Sequence, residues 1–272
     1  ASPNSSASSN NRGFPMQRKS FPFLFAGALA LALAGCAGTG AAPRATKAQP
    51  EMSNKGMANL HLAQNYLSAG KLDVAMDRAQ RAMRSDPDSA DVQVVMGMIR
   101  QALDDMVRAG EHFAHAAKLA PDSGPVLNAY GAWLCEQQKF DEADAVFDRA
   151  VLDPFYNAKA QAYFNAGRCA VLSGRLDRAD VTLRKGLEIE PKSAALLEQM
   201  ARLQYRQGNF MGARAFFQRR EAVAEVGAEL LELAIAIEEG AGDRAAAERY
   251  RTRLRQGFPD YTPTAREDSP QS

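Results

Sequence analysis

Surplus charge is the first thing this chain lacks. Its 33 Lys and Arg stand against 32 Asp and Glu, a net charge of +1, so no global field draws it to nucleic acid or a membrane surface. Cysteine and histidine are scarce, three of each, which leaves little with which to build a metal site. No stretch alternates apolar and polar residues over a useful length, which excludes a sheet protein. The apolar run of about 14 residues from Phe21 to Ala34 is too short to span a bilayer comfortably. There is also no Gly-rich phosphate loop, no GxSxG elbow and no HExxH. What is abundant is alanine, leucine, arginine and glutamine through the middle of the chain, which suits helices. With 46% hydrophobic residues the chain can bury a substantial core.

Four prolines set its rhythm. Pro87 and Pro121 lie 34 residues apart, and the gaps to Pro191 and Pro259 are 70 and 68, close to two periods each. That period, with small residues in fixed places, resembles the tetratricopeptide (TPR) helical hairpin, in which close-packed helix pairs stack into a superhelix. The fold expected is all-α, a right-handed superhelix of about six TPR hairpins. The units are expected at 56–89, 90–123, 124–157, 160–193, 194–227 and 228–261. Small residues such as Ala63, Gly97, Gly131 and Gly167 let helices approach, and a proline near the unit's end stops the second helix. After the third unit a two-residue insertion within DPFYNAKA delays the fourth, which should alter the angle between them.

The segment before the repeats has its own logic. Residues 1–15 are polar and too poor in apolar residues to fold. Met16 is the expected translation start. Arg18 and Lys19 precede the apolar run, as in a signal peptide over 16–35. Leu33-Ala34-Gly35-Cys36 resembles the bacterial lipobox, which implies that Cys36 is lipidated and begins the mature protein. Ala37 in place of Asp resembles the default sorting of such lipoproteins to the outer membrane. No other cofactor is implied. Residues 36–55 read as a flexible lipidated tether with a reach on the order of 25 Å. Residues 262–272 read as a disordered polar tail.

Little of the remaining chemistry points to catalysis or metal. His112 and His115, three apart, could share a helix face, but without a third ligand they read as helix surface. Cys135 and Cys169 fall at positions 12 and 10 of their units, and the spacing of neighbouring helices argues for two buried thiols over a bridge. A partner is expected instead on the concave wall, built in this repeat class by positions 2, 5, 9, 12 and 13 of each first helix. In the first two units these are apolar: Met57, Leu60, Leu67, Val94 and Met98. In the fourth and fifth they are aromatic and basic: Phe164, Arg168, Arg202, Tyr205 and Arg206. One sub-site would take an apolar helix or strand and the other a carboxylate or acidic segment. Leu60→Glu or Arg202→Glu should then keep the fold and lose the partner.

The lipobox, tether, six units and two-residue slip together resemble the PilF/PilW lipoproteins of type IV pilus biogenesis. Much of the likeness sits in Leu187-Glu188-Ile189-Glu190-Pro191, Met200-Ala201, Tyr205 and Asn209-Phe210-Met211-Gly212-Ala213-Arg214. Arg253-Leu254-Arg255-Gln256-Gly257-Phe258-Pro259 adds to it. The resemblance implies a non-catalytic pilotin at the periplasmic face of the outer membrane that helps the pilus secretin localise and assemble its ring. A different lipid-anchored TPR adaptor, serving outer-membrane protein assembly or cell-wall enzymes, stays open as the alternative. Neither reading calls for nucleic acid or a small-molecule substrate.

Overall fold

The computed structural model describes residues 51–262. The extension 1–15, the signal peptide 16–35, Cys36, the tether up to residue 50 and the tail from residue 263 lie outside the described residues. Among the described residues twelve helices form six antiparallel pairs: α1 (Asn54–Ser68) with α2 (Leu72–Ser85), α3 (Ala90–Ala102) with α4 (Met106–Leu119), α5 (Gly124–Glu136) with α6 (Phe140–Ala150), α7 (Lys159–Leu172) with α8 (Leu176–Ile189), α9 (Ala194–Arg206) with α10 (Phe210–Glu221), and α11 (Ala228–Gly240) with α12 (Arg244–Gly257). Among the described residues there is no strand. The chain has the TPR fold.

Local chemistry explains where the helices begin and turn. Ser53 and Ser89 accept hydrogen bonds from the backbone N–H of Gly56 and Val92, and Asp243 from that of Ala246. Such caps satisfy N–H groups that have no partner inside the helix. Each hairpin turns through a residue with positive φ. In four of the six it is glycine, at Gly70, Gly174, Gly208 and Gly242, with φ of 69–79°. Asp104 and Gln138, both at φ 59°, fill the equivalent place in the second and third hairpins and carry the strain that glycine avoids.

The pairs close on a small residue facing a large one. A Cβ on Gly97 would meet the Phe113 ring at 3.1 Å, and one on Gly131 would meet Phe147 at 2.9 Å. Both rings are almost wholly buried. Burying a ring of this size stabilises the fold by roughly 1.5–3 kcal/mol relative to leaving it exposed. Further polar links tie one hairpin to the next. Arg149 donates to the carbonyl of Pro121, and Arg219 to that of Pro191 at 3.3 Å. Arg175 and Arg178 of the fourth hairpin both pair with Asp144 on α6, at 2.6 and 2.9 Å.

The connection between the third and fourth hairpins, residues 151–158, is the longest. It is nonetheless held firmly. Asp153 accepts from the N–H of Gly124 at 2.8 Å and of Phe155 at 2.9 Å. Tyr156 is buried where a Cβ on Gly124 would stand, 2.5–2.6 Å from its atoms, so only glycine fits at that helix start.

One sequence expectation is corrected here. Cys135 of α5 and Cys169 of α7 form a disulfide, with Cα atoms 5.7 Å apart, where two buried thiols were expected. The expectation treated the distance between helix axes, about 8–10 Å, as if it separated the Cα atoms. Each Cα stands about 2.3 Å off its own axis, so residues on facing sides fall well inside bonding range. The difference in repeat position is no obstacle either, because it is a small offset along neighbouring helices.

Candidate functional site

Helices α1, α3, α5, α7 and α9 each pack on the next, and so build one continuous wall. Which side chains leave that wall follows from helix geometry. Positions 2 and 9 are seven residues apart, about two turns, and share a stripe. Met57 and Met98 lie on it and are 43% and 44% exposed. Arg168 is exposed at the same position of α7. Positions 5 and 12 form a second stripe, rotated by about 60° toward the neighbouring helix. Leu60 and Tyr205 fall there and are core residues, 5% and 6% exposed. Leu67, Val94 and Phe164 are half-buried against the clusters below them. The surface a partner can reach is therefore narrower than the sequence suggested. Leu60→Glu would place a charge in the core, so it cannot serve as a fold-preserving probe.

The aromatic and basic group is partly assembled. The Arg168 guanidinium lies 5.9 Å from the centre of the Phe164 ring. Arg202 hydrogen-bonds Glu198 one turn back at 3.1 Å, and Arg220 approaches the same carboxylate at 3.7 Å. Arg206 is half-buried on the next turn of α9. Among the described residues no carboxylate pairs with Arg168 or Arg206; the exposed Arg168 keeps a free fork for an incoming anion, whereas the Nε of Arg206 is buried. Tyr205 instead packs inward against Phe210, ring centres 5.8 Å apart and planes tilted by 59°.

Sequence reasoning missed a chain of amides on this wall. Gln161 donates to Asn165 at 3.1 Å, and Asn165 donates to Asn128 of the previous hairpin at 3.0 Å. Such side chains carry both donors and acceptors, which suits the backbone of a bound segment. The signal was present at Asn128, the asparagine in the largely apolar α5. Further along, Gln101 bonds Glu136, again linking one first helix to the next.

His112 does not face the wall. It contacts the Gln93 side chain at 2.7 Å through Nδ1, and burial, chiefly, holds its pKa below the usual 6.5. His115 is exposed on the same helix. Among the described residues no group of three or more His, Cys, Asp or Glu could hold a metal ion.

Residues 160–193, the fourth hairpin, match the tetratricopeptide repeat family. Over 236 residues the chain is 25% identical to the type IV pilus assembly protein PilF of Pseudomonas aeruginosa, covering 85% of this chain and 91% of that protein. The crystal structure of PilW, a widely conserved type IV pilus biogenesis factor, matches with a TM-score of 0.72 and 27% identity, over 77% of this chain and 96% of PilW. This chain is homologous to PilF. The solved structure of Pseudomonas aeruginosa PilF itself matches at a TM-score of 0.68 and 24% identity, over 76% of this chain and 93% of PilF, a likeness of fold. The match to PilF runs nearly end to end in both chains, so it takes in the whole wall built by the first helices.

Proposed function

We propose that this chain acts in type IV pilus assembly as a non-catalytic scaffold, a lipid-anchored pilotin on the periplasmic face of the outer membrane. The observation that carries the reading is the homology to PilF over 85% of the chain, supported by a stack of six helical hairpins whose first helices line up as a wall from α1 to α9. Lipid on Cys36 would fix the scaffold at the membrane, each buried methylene contributing about 0.8 kcal/mol. The Cys135–Cys169 bridge suits an oxidising compartment such as the periplasm. The wall would capture subunits of the pilus secretin, the apolar stripe at Met57 and Met98 taking one segment and Arg168 and Arg206 a carboxylate. Holding subunits beside the membrane raises their effective concentration there and favours the ring.

Binding of purified secretin to the chain tests the wall directly. Met98→Glu and Arg168→Glu alter side chains that project into solvent, so both variants should fold with unchanged helix content. Each is expected to weaken secretin binding at least tenfold. Wild-type affinity in both variants would contradict the groove reading and favour a different lipid-anchored adaptor.

A further inference from the structure

Position 9 of the first helices makes one track across the wall. Met98, Ala132, Arg168 and Arg202 are each ninth in their units, on α3, α5, α7 and α9. Because each of these helices packs on the next, equal positions fall side by side, about 10 Å apart. The slip between the third and fourth units does not loosen the track, since the Cys135–Cys169 bond holds α5 against α7. Met98 and Arg168 are exposed, and the small Ala132 between them leaves room for a backbone to pass close to α5.

The two exposed side chains differ in kind. Met98 offers a flexible apolar contact. Arg168 lies over the Phe164 ring, 5.9 Å from its centre, which leaves the edge of its guanidinium open to a carboxylate. The carboxylates these helices bring to the wall are engaged or distant. Glu136 takes a hydrogen bond from Gln101, and Glu198 is shared by Arg202 and Arg220. Asp91 sits two turns from Met98, about 10 Å along α3.

The amide row runs beside this track, with Asn128 and Asn165 one turn from Ala132 and Arg168. Gln161 donates to Asn165 and Asn165 to Asn128. That leaves the Asn128 NH2 at one end and the Gln161 carbonyl oxygen at the other without a hydrogen-bond partner among the described residues. A donor and an acceptor are thus offered to one ligand. A helical segment has already paired its own N–H and C=O groups and can use neither. An extended segment has both groups to give.

We propose, resting on the groove reading above, that the wall takes one extended segment of its partner, with an apolar side chain against Met98 and a carboxylate on Arg168 six residues away. Two helix spacings are about 20 Å, and an extended chain rises about 3.3 Å per residue, so six residues cover the span. The count must also be even, because side chains alternate faces along an extended chain and both must face the wall.

Capped peptides titrated into the isotope-labelled full chain, with dissociation constants read by NMR, test the proposal. The probe Ser-Leu-Thr-Ser-Thr-Ser-Thr-Glu-Ser sets leucine and glutamate six residues apart, and two analogues set them three and nine apart. An alanine-rich helical peptide sets them about thirteen apart, the same 20 Å at 1.5 Å per residue. The six-residue spacing is expected to bind at least fivefold more tightly than the others. Met98→Glu and Arg168→Glu should each weaken it at least fivefold, and so should Asn128→Leu/Asn165→Leu, with helix content unchanged by circular dichroism. Equal affinity at all spacings, tighter binding of the helical peptide, or no binding of any peptide would overturn the proposal. So would self-association of the wild type that Met98→Glu abolishes while the peptide's affinity is unchanged, since a second copy would then be the occupant. Secretin binding lost in Met98→Glu and Arg168→Glu with no spacing preference would keep the groove and remove the extended segment. A spacing preference with secretin binding unchanged in both variants would keep the segment and remove secretin as its source.

Discussion

Cys135 and Cys169 join the first helices of the third and fourth hairpins, 34 residues apart in sequence, across the longest connection in the array. The bond sits at the place where the repeat slips, and it ties α5 to α7 there. Closing a loop of that length removes entropy from the unfolded chain worth about 3–4 kcal/mol. Cys135→Ala/Cys169→Ala should lower stability by roughly that amount, and a reductant should lower the melting temperature of the wild type alone. Equal melting of variant and wild type would show that the bond contributes nothing.

Leu60 and Met98 separate core from surface within one predicted site. Leu60→Glu should destabilise the first hairpin severely, because it leaves a carboxylate without a partner among Ala63, Val92 and Val95. Met98→Glu, at 44% exposure, should change stability by less than about 0.5 kcal/mol. Denaturant unfolding of the two variants checks this, and similar midpoints would contradict the stripe assignment.

Glu238 on α11 is buried, and Arg214 on α10 is its ion-pair partner, with Asp243 3.7 Å away. Arg214→Met removes the ion-pair partner of that buried carboxylate and should cost about 1–3 kcal/mol. Adding Glu238→Leu should restore part of the loss. A double variant less stable than Arg214→Met would argue against the pairing.

His112 sets a pH dependence. Burial lowers its pKa below 6.5, so the unfolded chain takes up the proton more readily than the folded one. Stability should therefore fall as pH drops through about 6.5 and level off below the folded pKa. Asp91, whose pKa burial raises above 3.8, acts in the opposite sense at lower pH, so the comparison belongs between pH 7.5 and 5.5. His112→Gln should flatten the melting-temperature profile across that range. An unchanged slope would assign the effect to other groups.

The sequence made the hairpins legible because their punctuation is chemical. Proline cannot continue a helix, and Gly131 or Gly97 must face a ring if the pair is to close. Periodicity could not say how far each first helix is turned toward its neighbour. Leu60 and Tyr205 were assigned to the groove on repeat position alone, yet a rotation of about 60° puts them in the core. The disulfide was hidden for a related reason, since it depends on the stagger between α5 and α7. Asn128 is visible as a polar residue in the largely apolar α5, but its pairing with Asn165 across hairpins needs the stack.

The central claim is that the chain, held by lipid on Cys36, brings the pilus secretin to the outer membrane and promotes its assembly. The direct measurement deletes the gene and probes membranes for heat-resistant secretin multimers by immunoblot. Multimers should be lost while monomer remains, and should return with the wild-type gene but not at the outer membrane with Cys36→Ala. Intact, correctly placed multimers in the deletion strain would contradict the account.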